Sequence, residues 1–400
     1  MKNSSIITIR SMFALFVGMA FLFVGNGLII SSAGVELKKM GAGELETGFV
    51  IAVFFVGAMA ATIFSHKIVS KVGHIRSFGI FASLFGIAAM FHDLSQNLYF
   101  WAFLRGCLGF CYYSILMIIE SWLNARARNE VRSRVLAFYE ITFYVCFGLG
   151  ILVLSLNLST SHVLLLSAAF ILFSSIPLNL IRIKEPPIPE KKSVSIPRVF
   201  ALVPLALITS IVAGILINGF FTMASVYILL QGYGAREVSF FMTVAMAGGF
   251  IAHSLIGGFS DKFGRRPAIM CCAGVSLFAA ICFLALKPSI YAQYVLSFFL
   301  GSGAFCLYAL SLARANDVLN LKQKNQGIEV GRAVLFSYSF GSLLSSVIMG
   351  ASMQILGFDG FMWVYVALLA FLIAFCFTQK TVPLESRSDF EHSPGTMANS

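Results

Sequence analysis

Charge is scarce in this sequence. Only 11% of its 400 residues are Asp, Glu, Lys or Arg, against 58% hydrophobic. A soluble domain carries roughly 25% charged residues to cover its water-facing surface, so a water-soluble globule of this size is excluded. Among the eight cysteines there is no C-x-x-C pair, and no His/Cys spacing fits a metal site. The cysteines all fall in apolar stretches and read as buried packing residues. No G-x-x-x-x-G-K-[ST] stretch is present to couple ATP, and H-E-x-x-H, H-x-x-x-x-D and G-x-S-x-G constellations are missing. These absences argue against a membrane hydrolase or acyltransferase; His92-Asp93 stands alone in a short loop. The short alternating segments of a β-barrel are missing too.

What is present is apolar length. Runs of about 20 hydrophobic residues match the span needed to cross a ~30 Å hydrocarbon core, and helices satisfy their own backbone groups in lipid. Hydropathy predicts twelve spans near 11–33, 46–66, 76–93, 98–122, 134–156, 160–181, 200–222, 236–258, 267–286, 290–312, 331–356 and 358–378. The first is read as an uncleaved span, being too long for a signal-peptide core, and as drawn it contains no acidic residue. The expected organisation is an N-terminal six-helix half (1–181), a Pro- and charge-rich cytoplasmic linker (182–199), a C-terminal half (200–379) and a disordered cytoplasmic tail (380–400).

The net charge of +11 does not signal nucleic acid, because the basic residues cluster between apolar spans. Placing the N-terminus in the cytoplasm puts 23 of the 28 Lys and Arg at the two ends and in connections after even-numbered spans. The opposite side keeps Lys38, Lys39, Arg236 and Lys287, while Arg105 lies within a span. That bias sets the orientation, with both termini cytoplasmic. A second regularity is internal. At an offset of 191 residues, Val35, Gly41, Gly43, Glu46 and Phe49 match Val226, Gly232, Gly234, Glu237 and Phe240. Gly57, Lys71 and Gly73 match Gly248, Lys262 and Gly264 at the same offset. Parallel halves of this kind suit rocking about a midplane site.

The segment Gly257–Pro267 reads G-G-F-S-D-K-F-G-R-R-P. It resembles the G-x-x-x-D-R/K-x-G-R-R loop of the major facilitator superfamily. In physical terms Gly264 permits a tight turn, Asp261 suits the start of a neighbouring helix, and Arg265 and Arg266 are expected among lipid headgroups or acidic partners. The first-half counterpart, Val69–Arg76, has Ser70 in place of the Asp and His74-Ile75 in place of the basic pair. Arg105-Gly106-Cys107-Leu108-Gly109 is similar to the fourth-span R-x-x-x-G segment of that family, whose Arg is implicated in substrate or proton coupling. Glu120–Asn124, Asn129–Leu136 and Ala315–Asp317 look like the signature of its bacterial YcaD-type branch, with Arg314 standing where many relatives differ.

This resemblance implies an all-α membrane protein: twelve transmembrane helices in two pseudo-symmetric six-helix bundles, the major facilitator fold. It further implies a secondary active transporter and not an enzyme, in a bacterial inner membrane. The expected partners are a small-molecule solute, protons and the lipid bilayer, with no cofactor, no nucleic acid and a monomeric state. A cytoplasmic gate is expected from Asp261, Lys262, Gly264, Arg265 and Arg266, with Asp317 closing the tenth span as Glu120 closes the fourth. Glu130, Arg132 and Arg134 have counterparts in Glu329 and Arg332. In this gate Asp261 and Arg265 reach the fifth-span start and Asp317.

The candidate solute pathway holds Asn26, Arg105, Tyr112, Tyr113, Asn218 and Gln293, with Asn26, Arg105 and Asn218 in the outer half of the membrane. Such a cationic, amide-lined site favours an anionic or zwitterionic solute. Glu140, an acidic residue inside the fifth span, is either a proton carrier or a partner for Arg134 or a gate residue. Drug or metabolite efflux by proton antiport is the alternative. Residues 138–156 lack the Pro of the drug-antiporter stretch, which argues against it. A transport-inactive membrane sensor is the second alternative.

Overall fold

The computed structural model describes residues 13–126, 132–180, 202–321 and 327–383, and among these all regular structure is helical. The spans are, in order, Phe13–Lys39, Glu44–Val72, His74–Phe91, Leu98–Arg126, Arg132–Leu152 and Thr160–Phe173 continued by Ile176–Asn179. In the second half they are Pro204–Leu230, Ala235–Phe263, Arg265–Leu286, Ile290–Ala304 continued by Leu307–Leu321, Gly327–Leu356 and Gly360–Phe377. The last two follow one another as a 48-residue apolar stretch, far more than one crossing requires. A single 3-10 turn at Gly357–Asp359, with Gly357 at φ +67°, divides it into the eleventh and twelfth spans.

Several helices overrun the hydropathy windows by one to two turns. The first continues to Lys39 and thereby includes Glu36, so the expectation of a first span without an acidic residue is corrected. Glu36 is buried; it accepts from Thr160 Oγ1 of the sixth span and pairs with Lys39 at 3.0 Å. Hydropathy ended the span early because paired polar residues count as breaks even where they are satisfied. The same lengthening moves Asn26 and Asn218 to the middle of their helices rather than the outer half.

The described helices form two compact units. One is built on the first six spans, with Gly234–Ser239 counted in it, and the other holds the remainder of the last six. Within each unit the sequence repeat has a structural meaning. Gly41 and Gly232 both take positive φ (+82° and +86°), ending the first and seventh spans. Two residues later, the Gly43 and Gly234 amides each donate to a glutamate, Glu46 and Glu237, at 2.9 Å. This caps the second and eighth spans alike.

Glycine also sets how the helices cross. A Cβ on Gly57 would collide with the Gly106 carbonyl, and one on Gly109 with the Phe54 carbonyl, so the second and fourth spans touch backbone to backbone. Gly248 against Phe298 and Gly301 against Ala245 repeat this for the eighth and tenth spans. Gly27 and Gly150 lock the first span to the fifth in the same reciprocal way, as Gly214 and Gly341 lock the seventh to the eleventh. Without a hydrophobic driving force between helices in lipid, such close approach maximises dispersion contacts. Apolar side chains point outward instead: Leu255, Phe278 and Ile355 are largely exposed. Cys271 is exposed as well, which corrects the expectation that every cysteine is buried; it lies on an outward, lipid-compatible helix face.

Candidate functional site

At the end of the eighth span, Gly264 adopts φ +100° and turns the chain directly into the ninth, which begins at Arg265. The turn aims the Arg265 side chain inward, where it is fully buried. Its Nη1 donates to Ser260 Oγ and to Asp261 Oδ1. Its Nε stands 3.2 Å from Asp317 Oδ2, itself almost completely buried in the tenth span. Of the two expected surroundings, headgroups or acidic partners, Arg265 has the second: a buried cation is tolerable only with partners, and two carboxylates and a hydroxyl supply them. Lys262 is exposed and lies over the Phe263 ring at 5.4 Å. One turn before Asp317, Arg314 donates from Nη2 to Lys380 O at 2.6 Å and so ties the chain after the twelfth span to the tenth.

The first-half copy of this joint is built on histidine instead of arginine. Gly73 turns the chain at φ +87°, and the buried His74 stands where the repeat places Arg265. His74 Nε2 lies 3.2 Å from Ser121 Oγ of the fourth span. Among the described residues, a histidine–serine contact stands at the same kind of turn as the arginine–aspartate pair.

Glu120 does not close the fourth span, which runs on to Arg126. Glu120 and Glu140 lie on the fourth and fifth spans, and Tyr112 and Tyr113 of the fourth pack against one another and against Phe54 of the second. None of the ion pairs among the described residues includes either carboxylate. Glu130 lies outside the described residues, as do the side chains of Arg132, Arg134 and Glu329, so the proposed contact with the fifth-span start falls there too. Arg332 is half-buried in the eleventh span.

Arg105 is buried in the fourth span and donates from Nη1 to Ile29 O of the first span at 3.2 Å. The neighbouring Gly106 is part of the second–fourth crossing, which fixes where this side chain starts. Its Nε and Nη2 are buried without a hydrogen-bond partner, as is Asn26 Oδ1 one turn before Ile29. Asn218, in the second unit, donates to Tyr338 Oη at 3.0 Å and to Ser342 Oγ at 2.7 Å on the eleventh span. Tyr308 packs on Tyr338 with ring centroids 4.4 Å apart. Tyr338 and Ser342 were not singled out in the sequence, since a single hydroxyl in an apolar run carries no pattern. Gln293 lies in the first turn of its helix, where its amide donates to Gln231 Oε1 and Pro288 O. Its contacts make it a tie between connections.

Comparison with known proteins agrees with this architecture. The chain is 24% identical over 369 residues to "Uncharacterized MFS-type transporter YcaD" of Salmonella newport, covering 91% of this chain and 94% of that protein. The same protein of Salmonella arizonae is 24% identical over 361 residues, covering 89% and 92%. Among solved structures, the nucleoside transporter NupG superposes with a TM-score of 0.71 at 14% identity, covering 92% of this chain and 97% of that one. A D-xylose-proton symporter does so at 0.69 and 16%, covering 95% and 99%. A family model described as "Major Facilitator Superfamily" matches residues 15–334 and 234–396. The chain belongs to the major facilitator superfamily of membrane transporters, with the twelve-helix fold of that family and no enzymatic role.

Proposed function

We propose that this transporter carries a small anionic or zwitterionic solute across a bacterial inner membrane by alternating access, coupled to protons, with both termini in the cytoplasm. The observation that carries the solute class is Arg105. A guanidinium buried in a membrane span with two unfilled donors is costly to keep, and an anionic group relieves it. In this reading the network of Asp261, Arg265 and Asp317 forms part of a cytoplasmic gate whose ion pairs make and break during the cycle. Glu120 and Glu140 carry the proton: two like charges on successive spans are expensive in lipid, and protonation removes one of them. The D-xylose-proton symporter among the structural neighbours couples solute to proton by its title, and the same coupling is proposed here.

The test is a thermal-shift screen of small anions and zwitterions on the purified protein, followed by reconstitution of any hit into liposomes loaded with a pH-sensitive dye. Solute addition is expected to move protons with it, and Arg105→Gln is expected to abolish both signals. Uptake that ignores an imposed pH gradient would remove Glu120 and Glu140 from the mechanism. A hit confined to neutral or cationic compounds would sink the solute class.

A further inference from the structure

The corner around Arg105 has more unfilled polar atoms than an anion site needs. The Arg105 Cζ stands 5.9 Å from the centroid of the Trp101 ring, and that ring meets His92 edge to face at 4.7 Å. His92 Nδ1 lies 2.7 Å from Ala88 O. A carbonyl only accepts, so Nδ1 carries the proton there and Nε2 of the neutral ring is a bare acceptor. That Nε2 is buried and has no hydrogen-bond partner. Two donors on a cation, Arg105 Nε and Nη2, and one acceptor, His92 Nε2, are thus unfilled on two side chains that both pack against the Trp101 ring. Buried polar atoms are nearly always paired, and each one left open costs stability. Three such atoms, on two side chains that meet a single indole, describe the complement of a ligand.

Resting on the reading of Arg105 as the anion-binding residue, we infer that this corner takes a carboxylate with a hydroxyl or ammonium group on the adjacent carbon. The carboxylate sits on Arg105 and the donor on His92 Nε2. A plain carboxylate fills only the cationic side, and an amine fills only the acceptor side. An α-substituted carboxylate fills both, with the Trp101 ring as an apolar floor beneath the carbon that joins them.

Lactate, alanine and propionate share a three-carbon skeleton and differ only in the α-substituent, so their binding to the purified full-length protein isolates the claim. Tryptophan fluorescence or thermal shift is expected to show lactate or alanine binding about tenfold more tightly than propionate. Alanine ahead of lactate identifies the zwitterion, and the reverse order identifies the hydroxy acid. His92→Phe is expected to close the gap with propionate affinity retained. His92→Gln, which keeps a side-chain acceptor, is expected to restore part of it, separating a lost acceptor from altered packing. Equal binding of all three, no binding of any, or a gap that survives His92→Phe overturns the inference. If propionate is bound without a gap and Arg105→Gln abolishes that binding, only the donor assignment fails. If Arg105→Gln leaves propionate binding untouched, the anion site fails with it.

Discussion

Asp317 and Arg265 are both buried and paired to each other, a situation in which removing one partner costs more than the pair contributes. Asp317→Ala leaves Arg265 partly uncompensated and is expected to destabilise the protein by about 3–5 kcal/mol, read as a lowered unfolding temperature in detergent. Asp261 is more exposed, with 41% of its side chain accessible, so Asp261→Asn is expected to leave insertion and folding intact while cutting transport. Normal uptake by that variant in liposomes would remove Asp261 from the gate. For Glu140→Gln the expected outcome is retained solute exchange between the two sides with loss of solute-driven proton movement. These residues differ in how far they were legible. The Asp261–Arg266 run declared itself by order and spacing. The packing of Tyr112 and Tyr113 against Phe54 did not, because it joins two helices across a connection whose length says nothing of which faces meet. His92 was visible only as an isolated loop histidine, since its meaning depends on the Trp101 ring folding back against it.

Helix crossings supply the second kind of forecast. Gly57 and Gly150 lie against partner backbones, so even a methyl group forces the helices apart along their whole contact. Gly57→Ala and Gly150→Ala are each expected to lower the yield of folded, monodisperse protein sharply, and larger residues to abolish it. Gly258 has nothing within 4 Å of a Cβ position; Gly258→Ala is the matched control, expected to be neutral or stabilising by up to about 1 kcal/mol through helix propensity. Equal damage from both kinds of substitution would show that the crossings do not depend on close approach. Hydropathy found every span because lipid demands apolar length. It misjudged the end at Glu36, where a charged residue continues a helix once its partners are in place, and stopped short of Arg126 in the fourth span. The break between Ala304 and Leu307 follows Gly301 and Gly303, but hydropathy runs through it because the flanking residues stay apolar.

For the molecule as a whole, the orientation can be tested directly. In a variant lacking native cysteines, a cysteine at Lys287 is expected to react with a membrane-impermeant maleimide from outside the cell, and one at Arg128 only after permeabilisation; the reverse pattern would invert the topology. Twofold organisation was already apparent in the offset of 191 residues, yet the structure separates two classes of retained position. The turns at Gly41 and Gly232, the caps at Gly43 and Gly234, and the four reciprocal crossings are alike in both halves. The joint at His74 and Arg265 is not. The shared positions are held by backbone geometry: a Cβ at the crossings would meet a partner carbonyl, and the turns need positive φ. The joint side chains carry no such constraint, so the two halves can differ there without disturbing the helix packing. Carrying Ser70→Asp and His74→Arg together would give the first half the residues of the second, and the transport rate of that variant would weigh one charged joint against two.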